Sequence, residues 1–365
     1  CPAPFAVITG TRVNSPATAV AGDILLKSRP ETVVAGNIER SPLADLDRIT
    51  KATPVVLELS SWQLEGIEPL KRSPHWAVLT TILPDHLNRY PSMEAYVAAK
   101  ETIVKHQTAD DVAILPLDGE WGARFAQLTR ARTLWFGDLD RSEAISSISD
   151  GLDTQGRWIS GFERREGIRT ALVLHSGQAV LYRGSDHDEQ ETLLAGGEFG
   201  VLGKHTRRNM LAGALLALEM GASLDDVRAV LRTFRGLPNR LEVIRENEGR
   251  TFVNDTAATT PEAVIAALDA FLTRPVVLMT GGTDKNLDYR GLASFMHEAE
   301  NLRAVVLLAG SATEKLLVEI RKLQSVRTAV PLSAEPVPAM REAVRLAWKA
   351  AHSGDVILLS PGAAS

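Results

Sequence analysis

The apolar run FAVIT ends in Thr9-Gly10-Thr11-Arg12-Val13-Asn14-Ser15 and passes into a helix-forming stretch. A strand–loop–helix with glycine and hydroxyl residues can cradle an anion, because backbone N–H groups and the helix N-terminus converge on it. A P-loop of full strength carries Gly-Lys before the hydroxyl residue, and the lysine reaches the terminal phosphates. Val13 and Asn14 stand there instead, so these residues also read as an ordinary strand-to-helix turn. Glu58 lies at the end of a second apolar run, VVLEL, with Ser60, Ser61 and Trp62 behind it. Ligands of open α/β sheets bind beyond the carboxyl ends of the strands, and a carboxylate there suits Mg²⁺ beside a phosphate. A capped turn is the plainer alternative. Asp85 and His86 follow a third run in TTILPDHLNR, where the histidine is either a metal ligand or a structural side chain.

Lys100 lies on a predicted helix with Met93, Val97 and Val104 on its face. A lysine among such neighbours either snorkels to solvent or serves a specific site, where burial makes its amine reactive. Lys204-His205-Thr206-Arg207-Arg208-Asn209 opens another helix and offers polar side chains to a nucleotide. Asn239-Arg240 sits at a presumed hinge, and both residues 254–259 (NDTAAT) and 281–285 (GGTDK) follow strands.

Alternation of short apolar runs with amphipathic stretches is what must position these groups, and it points to a parallel sheet wrapped by helices. Strands are predicted over residues 5–9, 33–35, 55–59, 77–82 and 112–115, with helices over 17–27 and 92–106, the latter N-capped by Ser92. Residues 133–200 change to short β-like runs separated by glycine and charge, as in antiparallel hairpins. Helices over 207–220 and 223–234 follow. A second α/β alternation after Gly236-Leu237-Pro238 begins with a helix over 261–272, capped by Thr260. It ends with a helix over 336–351 and a strand over 356–359. The fold class is therefore α/β: a central P-loop-type, parallel-sheet ATPase domain over 1–237 and a smaller Rossmann-like domain over 238–365. With 365 residues, 45% hydrophobic and 23% charged, the chain is long enough for two domains and excludes disordered and fibrous classes. The net charge of −5 argues against nucleic acid as main partner, the apolar runs are too short for a membrane span, and the single Cys1 fits a reducing cytoplasm.

Taken in order, the segments ITGTRVNS, GNI, LELSSWQLE, PDHLNR, AYVAAK, GKHTRRN, FRGLPNRLE, NDTAATTP, GGTDK and LSPGAAS resemble the Mur ligase family across essentially the whole chain. The resemblance implies an ATP-dependent amide ligase that adds D-glutamate to UDP-N-acetylmuramoyl-L-alanine through an acyl phosphate, a step of peptidoglycan precursor synthesis. It implies a cytoplasmic monomer acting on small molecules, with two Mg²⁺ sites. Ser15, Glu58, His86 and a carbamylated Lys100 would be the metal ligands. Gly10, Thr11, Ser15, Asn209, Arg240 and Asp255 would hold ATP, with Asn209 on the adenine and Arg240 on the ribose. Asn37, Ser60, Ser61, Thr259 and Ser360 would serve the substrates, and Lys285 would lie near the glutamate site. ATP would lie where the two domains meet.

The chain departs from the family pattern at Val13-Asn14 for Gly-Lys, Glu39 for Gly, Thr81 and Thr206 for Asn, Asn239 for His and Ala257 for Lys. The lost loop cation implies turnover slower by about 10²–10³. A uridine-nucleotide-binding domain is expected before residue 1 and a short segment after Ser365, and without that domain the uridine end of the substrate would bind weakly. Two alternatives remain: a degenerate Mur-like nucleotide-binding protein, and another amide ligase of the superfamily such as a folylpolyglutamate synthase.

Overall fold

The computed structural model describes residues 3–11, 14–38, 40–83, 89–117, 119–139, 170–183, 189–323 and 335–364. Two compact units divide the chain: Cys1–Val201 with Thr206–Phe234, and Leu202–His205 with Arg235–Ser365.

In the first unit, β1 (Phe5–Thr9) leads to α1 (Asn14–Ser28) and β2 (Val33–Gly36). Next come β3 (Val55–Glu58), α2 (Ser61–Ile67), β4 (Trp76–Leu79), α3 (Met93–Lys105), β5 (Val112–Pro116), α4 (Glu120–Leu128) and β6 (Arg132–Asp138). Then follow β7 (Thr170–His175), β8 (Gln178–Arg183), β9 (Glu189–Leu194), α5 (Lys204–Glu219) and α6 (Leu224–Thr233). The described strands form one sheet in the order β2-β3-β1-β4-β5-β6-β7-β8-β9. All neighbours from β2 to β7 are parallel, and only the pairs β7–β8 and β8–β9 are antiparallel, so β8 alone runs against the rest. The expected hairpin region is thus antiparallel only from β7 onward, while β6 extends the parallel sheet. Ser92 caps α3 as expected, accepting the Ala95 N–H, and the buried face of α3 carries Val97, Lys100, Ile103 and Val104. Gly213 lets α5 lie directly on α1, since a Cβ there would come within 2.2 Å of the Ala17 carbonyl oxygen.

The second unit contains the hairpin β10 (Glu242–Asn247) and β11 (Arg250–Asn254), then α7 (Pro261–Asp269), β12 (Val276–Gly281) and α8 (Arg290–Glu298). It finishes with β13 (Leu302–Leu308), α9 (Ser311–Leu323), α10 (Met340–Ala350) and β14 (Val356–Leu359). Strand order is β10-β11-β14-β12-β13, with β10 alone antiparallel. Successive side chains of a strand face opposite ways. In β12, Val276 and Leu278 accordingly join one core with Leu307 and Leu316, while Val277 and Met279 join another with Ala343 and Ala347. Thr260 stands at the start of α7 as expected, but its side chain makes no capping bond; Pro261 and the extended backbone start the helix. The last helix begins at Met340, later than its periodicity suggested. Among the described residues, no helix is long and apolar enough to cross a membrane.

Candidate functional site

The carboxyl ends of β1, β3 and β4 converge because β1 lies between the other two. Gly10 follows β1 where only a glycine fits: a Cβ would lie 2.0 Å from Thr80 Oγ1 and 2.9 Å from the Thr81 carbonyl oxygen. Thr11 donates its N–H to that Thr81 oxygen at 2.6 Å. Its hydroxyl meets Tyr96 Oη at 2.8 Å. Asn14 opens α1 with its side chain turned back, only 7% exposed. Its Nδ2 donates to the Gly10 carbonyl at 3.1 Å, and its Oδ1 accepts from Thr80 Oγ1 at 2.9 Å. Position 14 is therefore a cross-link of the loop rather than a gap left by a lost lysine. Ser15 stands half-buried in the first turn of α1; Arg12 and Val13 lie outside the described residues.

Lys100 is 1% exposed. Its Nζ donates to the Gly10 carbonyl at 2.8 Å and to Thr9 Oγ1 at 3.2 Å, over the Tyr96 ring at 5.0 Å. Thr9 Oγ1 in turn donates to the carbonyl of Leu59, the residue after Glu58. Glu58 is 3% exposed. Asn37 serves it twice: its N–H donates to the Glu58 carbonyl at 2.8 Å, and its Nδ2 to Oε1 at 3.5 Å. Gly36 makes this approach possible with φ +114°, since a Cβ would lie 2.1 Å from the Glu58 carbonyl oxygen.

The donor chemistry here fits Mg²⁺. Glu58 and Ser15 supply hard oxygens, and Mg²⁺ is commonly held by one or two carboxylates with phosphate and water completing the shell. No cluster of three or more His, Cys, Asp or Glu side chains with metal-binding geometry occurs among the described residues, and His86 lies outside them. An ammonium has three donors and no acceptor, so Lys100 fits as a ligand only in carbamate form.

The substrate serines differ in role. Ser60 caps α2 in a capping box, accepting the Gln63 N–H at 3.3 Å while its own N–H donates to Gln63 Oε1 at 2.8 Å. Ser61 is buried in the first turn. Asn209 is buried in α5, and its Oδ1 has no hydrogen-bond partner among the described residues. Sequence reasoning missed the roles of Asn14, Tyr96 and Arg208, which meet Thr80, Thr11 and Thr81 in the loops after β4 and β1, far off in the chain.

In the second unit, Asp255 follows β11 and Ser360 follows β14, its parallel neighbour. Ser360 Oγ donates to Asp255 Oδ2 at 2.8 Å, and the Leu241 N–H to Oδ1 at 3.1 Å. Asn239 adopts φ +64°, a left-handed backbone that Asn tolerates. There its Oδ1 accepts from Asn254 Nδ2 at 2.8 Å. Thr259 is half-buried before α7, and Lys285 is exposed after β12. Burial pushes the Asp255 carboxyl up to about 6, against its bonds to Ser360 and Leu241 and the nearby Arg240. Burial and the Arg240 charge hold His205 down at about 4.

These shifts predict opposing pH effects. A raised folded pKa means the native state keeps the Asp255 proton longer, so its contribution falls as pH rises from about 4 to about 6, by roughly 3 kcal/mol. The depressed His205 contributes stability above its ordinary pKa that is lost as pH falls toward about 4. Asp255→Asn should therefore gain stability relative to the wild type across that window and level off above it. Urea unfolding of both proteins from acid to neutral pH checks this; a pH-independent difference would show that Asp255 titrates normally.

Comparison with known proteins agrees with the geometry. The family described as Mur ligase middle domain matches residues 38–159, and Mur ligase, glutamate ligase domain, matches residues 239–362. A protein of Roseiflexus sp. (strain RS-1) named UDP-N-acetylmuramoylalanine–D-glutamate ligase is 37% identical over 100% of this chain and 72% of its own length. One of the same name from Acidobacterium capsulatum is 35% identical over 98% of this chain and 69% of its own. In fold, the chain is similar to the MurF ligase of Thermotoga maritima in complex with ADP, with TM-score 0.67 at 17% identity, over 98% of this chain and 76% of that one. The phosphate-type loop, the buried Lys100 and Glu58 at the carboxyl end of the sheet and the two α/β units thus have one common explanation: the chain belongs to the Mur ligase family.

Proposed function

We propose that this chain is an ATP-dependent ligase that joins D-glutamate to UDP-N-acetylmuramoyl-L-alanine. The observation that carries the reading is the 1%-exposed Lys100 on the Gly10 carbonyl and Thr9 Oγ1 after β1, with the buried Glu58 at the carboxyl end of the neighbouring parallel strand β3. The name shared by the relatives supports the choice of D-glutamate as acceptor. On the family pattern the Gly10–Ser15 loop would serve the phosphates of ATP, Asn209 its adenine and Arg240 its ribose. When bound, Mg²⁺ neutralises phosphate charge, held by Ser15 and Glu58 and, on the family pattern, by His86 and the carbamate of Lys100.

A carboxylate oxygen of the alanyl group attacks the γ-phosphorus, and ADP leaves with the electrons of the broken P–O bond. The resulting acyl phosphate has a good leaving group where the carboxylate had none. The amine of D-glutamate attacks the acyl carbon, loses a proton, and inorganic phosphate departs as the amide forms. Asn37 holds Glu58 in place through backbone and side chain and lies next to the muramoyl substrate. On the family pattern Thr259, Lys285 and Ser360 would serve the substrates, while Ser60 acts by setting the start of α2 behind Glu58. The reaction is cytoplasmic, and its partners are small molecules.

Release of ADP that requires UDP-N-acetylmuramoyl-L-alanine and D-glutamate together tests this reading. ATP turnover indifferent to both would overturn it. Nucleotide binding without turnover is a second reading, favoured by the Asn14 cross-link, which leaves no ammonium at the loop position where the family has one. In that case ATP binds but no ADP is released with any acceptor.

A further inference from the structure

A nucleoside triphosphate brings several negative charges to a loop whose own position 14 is a neutral amide turned inward. Backbone N–H groups and a helix N-terminus supply only partial charges. Lys100 approaches the loop from α3, enclosed and bonded to the Gly10 carbonyl. Arg208 approaches from another side. Its Nη1 donates to Thr81 Oγ1 at 3.2 Å, and the carbonyl of the same Thr81 takes the Thr11 N–H at 2.6 Å. The guanidinium is thus one residue removed from the backbone of the phosphate loop.

Its position is fixed. The guanidinium carbon lies 5.1 Å from the centre of the Phe136 ring, a stacking that suits arginine. The α5 helix that carries it lies backbone against backbone on α1, through Gly213 and Ala17, so Arg208 and the start of α1 keep one spacing. Arginine also has the planar fork that grips a phosphate with two parallel N–H bonds.

We infer that Arg208 is a phosphate-binding cation of this chain, supplying charge that Asn14 does not provide. The inference rests on the ATP reading above and adds a residue to it. Thr81 is then a positioning residue, holding the guanidinium toward the loop.

Calorimetry of the whole chain with ATP, ADP and AMP, each with Mg²⁺, tests it. Arg208→Ala should weaken ATP binding by roughly tenfold to a hundredfold, the usual range for losing a hydrogen bond to a charged group, and change AMP binding little. Arg208→Gln keeps a donor for Thr81 without the charge and should show the same selective loss if the alanine variant folds poorly. Arg208→Lys should fall between. Equal ATP affinity in the wild type and Arg208→Gln would overturn the inference and leave the ligase reading standing. An equal loss for ATP and AMP would also overturn it, marking the residue as structural. A wild type that binds no ATP would overturn the inference and the ligase reading together.

Discussion

Replacing Lys100 with alanine is expected to cut ligation by about 10²–10³, the range seen when one preorganised charged or polar group is removed from a reacting centre. The side chain is 1% exposed and ends on the Gly10 carbonyl and Thr9 Oγ1, so nothing in solvent takes its place. The same change also opens a cavity beside Tyr96 and should lower the melting temperature. Lys100→Met, which keeps the stem, separates the two effects: it should regain stability but not turnover. We propose that the working form is the carbamate. N-carboxylation turns a donor to the Gly10 carbonyl into an anionic acceptor, so the two forms make different contacts from one place. Short carboxylates such as formate or acetate should then restore part of the lost activity in Lys100→Ala. Full wild-type activity in bicarbonate-free buffer, with no carbamate signal from labelled bicarbonate, would show that the ammonium is the working form.

The second large effect is expected at Asn14. Asn14→Lys, the residue the family pattern favours, removes the amide ties to Gly10 and Thr80. Each is worth about 1 kcal/mol net, so a loss of about 2 kcal/mol is expected, or roughly 4–8 °C in melting temperature for a unit of this size. Thermal unfolding measures it, and an unchanged transition would mean that the lysine stem replaces the cross-link. The catalytic outcome depends on Arg208. With that arginine present, Val13→Gly with Asn14→Lys should raise turnover less than about tenfold, because one cation already serves the loop. In an Arg208→Ala background the same pair should recover most of the loss. A rise of about 10²–10³ in the wild-type background would mean that Arg208 does not serve the loop's phosphates.

Local rules make much of the fold readable. FAVIT and VVLEL are apolar runs bounded by polar residues, and they form β1 and β3. Ser92 and the apolar spacing of Val97 and Val104 define α3 and its buried face, and a lysine on that face stands out from its neighbours in the sequence itself. The capping box of Ser60 and Gln63 is equally readable, since it needs only the S-x-x-Q spacing. The hairpin β10–β11 is harder, because β10 is exposed along most of its length and has no alternating core face. The chemistry-bearing residues are also legible one by one, at strand ends and helix starts.

Their partners are not. Asn14 meets Thr80 across 66 residues, Lys100 meets Gly10 across 90, and Arg208 meets Thr81 across 127. No periodicity or capping rule extends so far. The placing of β1 between β3 and β4, and the packing of α5 on α1 at Gly213, bring these groups together. Along the chain, Asn14 is a missing lysine and Arg208 a polar residue at a helix start. In the folded unit Asn14 is a cross-link and Arg208 a cation beside the loop. Sequence alone determined which chemical groups are present and on which elements they ride, because those depend on neighbours a few residues away. Which groups touch was decided by strand order and helix packing, because only burial of the whole core selects among the possible arrangements of the sheet.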